Sequence, residues 1–421
     1  MKKIKYIVIT ILLLITITNI NINVEAKQIT HKTKIQTTTN KKQKNYLSIY
    51  SNNAILYNLK DDEILFQKNK DQKVSIASLT KMMTALIAIE NINDLNEKVS
   101  FQKSDYQDLI AMDASASSLN HEKQYSYNDI LHGLMMESGA DCANILARLV
   151  GGNEETFVKM MNQKAKQLGM KNTSFANPIG MDDKNNYSTM SDLVLLFKAG
   201  LKNDTWKKIA TTMYYTLEDG TKIEHTIKLY ERNAYIKAPY ILGGKTGYET
   251  DAGYALATIA NKNNTTLIFI TSKTNTLNGH IKDAKKIYEY YFNNYGYQTI
   301  LKKGEIIKEL DTKYLSEDKI TITANEDIKY YLKNNYNKND IKLVYDGIDE
   351  ITYKNKYMEN IGTLSIYYKD KLVKTTPVYL NQKIYPDFKL IILAGIVYMF
   401  IIGCTIIISN RLRHKKQLEQ I

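Results

Sequence analysis

Apolar positions concentrate at the two ends of the chain, with helical and alternating patterns between them. The first run, 7–17, follows Lys2, Lys3 and Lys5 and stops at the polar stretch 18–23. It is too short to span a bilayer, and Val24-Glu25-Ala26 supplies a small-x-small site, so 1–26 is predicted to be a secretory signal peptide that is removed. Residues 27–45, a Thr/Lys/Gln/Asn tract without apolar period, are predicted to be a flexible leader. Strand patterns at 46–57 and 63–67 predict a hairpin. Residues 78–92 carry Leu79, Met82, Met83, Leu86, Ile87 and Ile89 on all sides, the pattern of a buried central helix.

Further helices are predicted over 127–150, 154–168, 191–199 and 280–297, and strands over 213–217, 222–228, 254–260 and 266–271. After 297 short strands follow one another, at 305–310, 319–323, 341–345, 362–368 and 371–379, which predicts a small all-β unit. The second apolar run, 390–408, is uncharged and long enough for a transmembrane helix. Arg411, Arg413, Lys415 and Lys416 follow it, so the positive-inside rule places the tail in the cytoplasm and the preceding chain outside.

Composition narrows the function classes. With 421 residues, 44% hydrophobic and 24% charged, the chain is neither wholly disordered nor collagen-like, and it is long enough for two to three domains. Two cysteines, Cys142 and Cys404, exclude a disulfide scaffold and a Cys-rich metal site. Cys404 lies in the predicted membrane helix and Cys142 does not, so they are not expected to pair. The formal charge of +13 is carried almost entirely by Lys, which reads as a solvated surface beside an anionic cell wall and not as a nucleic-acid reader. No metal or other cofactor is expected, because no His-Glu-x-x-His or Cys/His cluster occurs.

Three segments could carry chemistry. Ser78-Leu79-Thr80-Lys81 puts a hydroxyl and an amine three residues apart, on one helix face. A neutral Lys can then serve a Ser nucleophile as base, with no His. Ser-x-x-Lys also occurs at Ser100/Lys103 and Ser316/Lys319, but only at Ser78 does it open a long apolar helix that can desolvate the amine. Lys245-Thr246-Gly247, behind Gly243-Gly244, opens a strand pattern and offers a cation and a hydroxyl to a carboxylate. Ser138-Gly139-Ala140-Asp141 lies between the helical stretches 130–136 and 142–150.

Ser-x-x-Lys, a second Ser motif and Lys-Thr-Gly, in this order, form the signature of active-site-serine penicillin-recognising enzymes. From about Tyr46 to Thr376 the chain resembles the low-molecular-mass penicillin-binding proteins, serine D-alanyl-D-alanine carboxypeptidases of peptidase family S11 similar to penicillin-binding protein 5. The resemblance includes 76–84, 134–141, Asn177-Pro178-Ile179-Gly180, 243–248 with Ala252-Gly253-Tyr254, and 360–364. It implies an α/β, β-lactamase/transpeptidase-like domain over 46–297, with an antiparallel sheet flanked by helices and an all-helical subdomain. A β domain over 298–383 would follow as a stalk, then the membrane helix at 390–408 and a basic tail at 409–421.

The resemblance also implies roles. Ser78 would attack the penultimate D-alanine carbonyl of a peptidoglycan stem pentapeptide, Lys81 would take its proton, and Ser138 would relay a proton to the departing D-alanine. Lys245 would shape the field, Thr246 would bind the substrate carboxylate, and the N–H groups of Ser78 and Tyr248, just after Gly247, would hold the oxyanion. β-Lactams would be covalent inhibitors.

Two positions depart from the family pattern. Ala140 stands where an Asn would contact Lys81 and the substrate amide, with Asn144 one turn on. His280, with Lys282 nearby, stands where an Arg would help bind the terminal carboxylate; either carboxylate binding is pH-sensitive, or His280 is a surface residue at a helix start. A Ser-His-Asp hydrolase lacks its Gly-x-Ser-x-Gly elbow here, and a class A β-lactamase lacks its Glu-x-x-Leu-Asn string. The alternatives are a related murein endopeptidase or weak transpeptidase, and a catalytically weakened murein-binding protein of the same fold.

Overall fold

The computed structural model describes residues 47–418; the predicted signal and leader lie outside the described residues. The hairpin pattern near the start forms β1 (Asn53–Asn58) and β2 (Glu63–Lys68). With β3 (Ile241–Glu249), β4 (Gly253–Lys262) and β5 (Thr265–Thr274) they make one antiparallel sheet in the order β2-β1-β5-β4-β3. The first and last strands of this sheet in chain order, β1 and β5, therefore meet within it, and β3 is an edge.

Both faces of the sheet are covered. Phe269 of β5 meets Tyr288 of α8 (Gly279–Asn294), while Tyr57 of β1, cross-strand from Ile268, meets Lys198 of α5 (Met190–Lys202). Alternate side chains of a strand point to opposite faces, which gives each helix its own face. It also explains why β1 is buried at every position.

Beside the sheet lies a helical region built around α1 (Lys81–Asn91), buried from Lys81 through Ala88. Around it pack α2 (Tyr127–Met136), α3 (Ala140–Gly151), α4 (Glu154–Gln167), α5 and α6 (Asp204–Ala210). The Trp206 indole of α6 donates to the Met82 carbonyl of α1 at 3.1 Å.

Two departures from the predicted elements, and one break that the sequence pattern locates, concern the site. The predicted helix 78–92 starts as a 3-10 turn, Ala77–Thr80, and becomes α-helical only at Lys81. The helical pattern over 127–150 divides where the stretches 130–136 and 142–150 part, at Ser138, which adopts a left-handed φ of 67° between α2 and α3. The predicted strand 222–228 stops at Glu224 and gives way to α7 (Thr226–Asn233), whose start is capped by His225. Apolar period alone does not register such breaks, because each is made by a local cap or turn geometry.

After α8 come β6 (Tyr295–Leu301), β7 (Ile306–Lys313), β8 (Lys319–Thr323), β9 (Ile328–Lys333), β10 (Ile341–Gly347), β11 (Glu350–Thr352), β12 (Asn360–Tyr368) and β13 (Lys371–Tyr379). They enclose a separate core of Leu310, Ile320, Ile322, Ile351, Leu364 and Ile366. Strands β6, β9 and β11 were not predicted: β6 takes up the end of the predicted helix 280–297, and the Tyr-rich β9 has three consecutive buried residues, Tyr330 to Leu332, and so no simple alternation. The last element, α9 (Phe388–Leu418), runs past the predicted limit of 408 and carries Arg411 and Arg413 on the helix itself. Cys142 and Cys404 are both unpaired.

Candidate active site

The site forms where the 3-10 turn at the head of α1 meets edge strand β3. Ser78 ends up beside the helix start, and Lys81, one turn on, is only 2% exposed. Lys81 Nζ lies 2.9 Å from Ser78 Oγ and donates to the Ile179 carbonyl at 2.6 Å. Burial pushes the Lys81 amine down to about 8, against the opposing pull of Glu249, Asp141 and Cys142.

The turn that supplies Ile179 is shaped by Asn177. Its Oδ1 accepts from the N–H groups of Gly180 (2.6 Å) and Met181 (3.1 Å). Gly180 adopts φ 91°, and a Cβ there would stand 2.2 Å from the Ala77 carbonyl oxygen. Only glycine allows this turn so close to the nucleophile. Thr84, one turn beyond Lys81, donates to the Pro178 carbonyl at 2.6 Å. Asp182 then accepts from Ser75 Oγ and from the Asp251 N–H, tying this loop to the residues before Ser78 and to those after β3.

On the opposite side, Gly247 of β3 faces the nucleophile's backbone: a Cβ there would be 3.0 Å from Ser78 N. The neighbouring Tyr248 is 55% exposed. Lys245, in the same strand, is fully buried, and its Nζ donates to the Thr246 carbonyl at 2.7 Å. Burial, then the nearby Lys81, pushes its amine well below the usual lysine range. Two buried amines this close do not both hold a proton comfortably. Thr246 Oγ1 is 2.7 Å from Thr226 Oγ1, the first residue of α7. His225 Nε2 donates to the Gly244 carbonyl (3.1 Å) while Nδ1 accepts from the Ile227 N–H (3.0 Å). These bonds set one neutral tautomer, and burial holds the ring's pKa down at about 3. His225 thus pins β3 to α7.

Ser138 is buried at the break between α2 and α3. Ala140, in the place expected for Asn, is buried, and its N–H donates to the Ser115 carbonyl at 2.8 Å. Asn144 does not stand in for it, because its Nδ2 donates to the Asp105 carbonyl at 3.0 Å. The hydrogen-bond partners of Lys81 Nζ are Ser78 Oγ and the Ile179 carbonyl.

His280 corrects an expectation. It is fully buried, stacked on Tyr254 (5.2 Å between rings, 8° between planes) and met edge-on by Tyr230. Burial pushes its pKa to about 3, so it carries no charge at neutral pH with which to hold a carboxylate. Neither ring nitrogen has a hydrogen-bond partner.

Sequence reading missed His225, Thr226, Asp182 and Glu249. The first two were hidden inside a predicted strand; Asp182 lies in a loop and Glu249 at the end of β3, and the partners of both are remote in the chain. Among the described residues no group of three His, Cys, Asp or Glu side chains is placed to hold a metal ion.

Comparison with known proteins gives a consistent picture. The profile of the D-alanyl-D-alanine carboxypeptidase family matches residues 36–276, and that of the penicillin-binding protein 5 C-terminal domain matches 295–385. The chain is 28% identical over 326 residues to D-alanyl-D-alanine carboxypeptidase DacF of Bacillus subtilis, spanning 77% of this chain and 83% of that one. It is 30% identical over 239 residues to the D-alanyl-D-alanine carboxypeptidase of Streptomyces sp. K15, spanning 54% and 82%. Among solved structures, penicillin-binding protein 5 from Haemophilus influenzae superposes with a TM-score of 0.61 at 25% identity, covering 80% of this chain and 98% of that one. The Streptomyces K15 DD-transpeptidase does so with 0.53 at 28% identity, covering 58% and 97%. The fold is β-lactamase/transpeptidase-like, followed by an all-β domain.

Proposed function

The chain belongs to the D-alanyl-D-alanine carboxypeptidase family of serine peptidases, and we propose that its own site removes the terminal D-alanine from peptidoglycan stem pentapeptides through an acyl-enzyme on Ser78. The observation that carries this reading is the 2.9 Å contact between Ser78 Oγ and a buried Lys81 whose pKa lies near 8. In the uncharged form the Lys81 amine accepts from the Ser78 hydroxyl and takes its proton as Oγ attacks the penultimate D-alanine carbonyl. The oxyanion is held by the N–H groups of Ser78 and Tyr248, which the approach of Gly247 to Ser78 N brings into one neighbourhood.

Ser138 relays the proton that Lys81 took from Ser78 to the departing amine, which leaves Lys81 neutral again. Thr246, braced by Thr226, binds the substrate's terminal carboxylate, and Lys245 supplies the local field. Water then releases the shortened peptide. The same Ser78 is acylated by β-lactams. His280 takes no direct part in this scheme.

A long apolar helix near the C-terminus fits a membrane anchor. We place the signal at 1–26, the catalytic domain at 46–297, the β domain at 298–383 and the anchor at 390–408, with the catalytic domain outside the cell membrane and the basic tail in the cytoplasm.

The test is labelling of membranes with a fluorescent penicillin, alongside D-alanine release from a pentapeptide. Wild type is expected to label and to release D-alanine, and Ser78→Ala to do neither. Labelling without release sinks the enzyme reading in favour of a murein-binding protein. Transfer to an added amine at the expense of hydrolysis identifies a transpeptidase, as one of the solved relatives is named.

A further inference from the structure

We infer that the end of the β domain beside α9 is itself a membrane-contacting surface, with Tyr314, Tyr353 and Tyr385 seated in the bilayer interface. This inference rests on α9 being membrane-spanning and adds a second contact to that anchor.

The connection to α9 has no slack. Leu315 forms a β-bridge with Pro386, the Ser316 N–H donates to the Tyr385 carbonyl (3.0 Å), and the Asp387 N–H donates to the Tyr314 carbonyl (3.1 Å). The helix starts at Phe388, and its apolar span starts at Ile391. One helical turn rises about 5.4 Å, so the 314–316 turn is held within roughly one turn of the first span residue. If the span enters hydrocarbon, this turn is carried to the headgroup level.

The side chains there suit that depth. Tyr314, Tyr353, Tyr385 and Phe388 are each more than half exposed. The rings of Tyr314 and Tyr353 are 6.4 Å apart, and Lys313 Nζ lies 5.3 Å over the Tyr314 ring. Tyrosine has an apolar body and a polar tip, and is enriched where a protein crosses from water to hydrocarbon. The turn is positioned from behind by Leu315 and Ile351, which belong to the β-domain core. Tyr314 holds φ 64°, a conformation unusual for a bulky residue, and so presents its ring outward from a turn that glycine would form more easily.

The other end of the β domain is bolted to the catalytic domain. Tyr331 Oη donates to the Tyr291 carbonyl (3.2 Å), Tyr330 Oη donates to the Glu63 carboxylate, and Lys371 pairs with Glu63 (2.8 Å). Seating the aromatic end on lipid therefore sets the height and tilt of the Ser78 site above the bilayer, which a single helix alone would leave free to swivel.

Tryptophan quenching in full-length protein tests this. Trp206, the chain's single tryptophan, is 1% exposed in the helical core and serves as a constant background. Tyr314→Trp and Tyr353→Trp are reconstituted separately into phosphatidylethanolamine/phosphatidylglycerol vesicles carrying lipids brominated close to the headgroup. Tyr398→Trp, inside the span, reports whether α9 inserts; Tyr235→Trp, 97% exposed on the catalytic domain, reports the unquenched baseline. The expected result is loss of fluorescence at 314, 353 and 398 and none at 235, with fluorescent-penicillin labelling unchanged in all four. If 398 is quenched and both 314 and 353 stay at the baseline, the surface is refuted while the anchor stands. Loss of quenching at 398 as well refutes the anchor and the surface together. A blue shift of 314 and 353 produced by soluble murein fragments without lipid would assign the rings to the wall and overturn the inference.

Discussion

The Nζ of Lys81 sits 2.6 Å from the carbonyl oxygen of Ile179, closer than to the oxygen of Ser78. The two residues are 98 apart in the chain, and the bond passes from the first turn of α1 to a glycine-closed loop. It supplies a fixed acceptor where Ala140 offers none, and it aims the amine at the nucleophile.

That loop predicts the outcome of Gly180→Ala. The added Cβ meets the Ala77 carbonyl, and φ 91° is unfavourable for alanine. The expected cost is about 2–4 kcal/mol of stability, from backbone strain and overlap together. The displaced Ile179 carbonyl should also slow penicillin acylation in the fraction that remains folded. Urea unfolding combined with stopped-flow acylation separates the two effects.

Lys81 must be neutral to act as base, and its pKa lies near 8. Acylation is therefore expected to rise about tenfold per pH unit below 8 and to level off above it. Lys81→Arg, which cannot lose its proton near neutral pH, should remove acylation.

The same burial makes Lys81 a stability cost. Its folded pKa is depressed from 10.5 to about 8, so the cost is present in full below pH 8 and fades between pH 8 and 10.5. Lys81→Met is expected to be inactive yet more stable at pH 7 by about 1–3 kcal/mol, read from urea midpoints. A less stable variant would mean that the bonds to Ile179 and Ser78 outweigh desolvation.

Glu249 is raised to about 7, first by burial and then by Asp182, and its charge favours protonated Lys81. Glu249→Gln removes that charge. The acylation profile should then move toward lower pH and lose an inflection near 7; an unchanged profile would uncouple the two groups.

His280 is neutral in the fold down to about pH 3, whereas an unfolded histidine titrates near 6.5. The unfolded chain binds the extra proton between those values, so stability falls as pH drops through this window. His280→Leu should lose about 2 kcal/mol less than wild type between pH 6.5 and 5. Equal losses in the two proteins would show that the ring finds a proton-accepting partner.

Much of the architecture was readable from local pattern. The two sheet-forming hairpin strands, the buried α1, the β-rich trailing part and the final apolar helix follow from period and length. At Ser138 the gap between two helical stretches was readable, but the left-handed φ that makes it was not. The start of α7 was not readable, because the His225 cap does not change the run of apolar residues around it. His280 looked available at a helix start, yet Tyr254 and Tyr230, brought there by β4 and α7, enclose it.

By itself the sequence determined the Ser78–Lys81 spacing, the Lys245-Thr246-Gly247 triplet and a helix apolar enough for a bilayer, because each depends only on neighbours a turn or a few residues away. Tertiary structure decided that Ile179 holds the amine, that Gly247 lies against Ser78, that His280 is sealed off, and that Tyr314 stands beside Tyr385. Those contacts join segments from tens to about a hundred residues apart or more, and only packing of the whole core selects which of them meet.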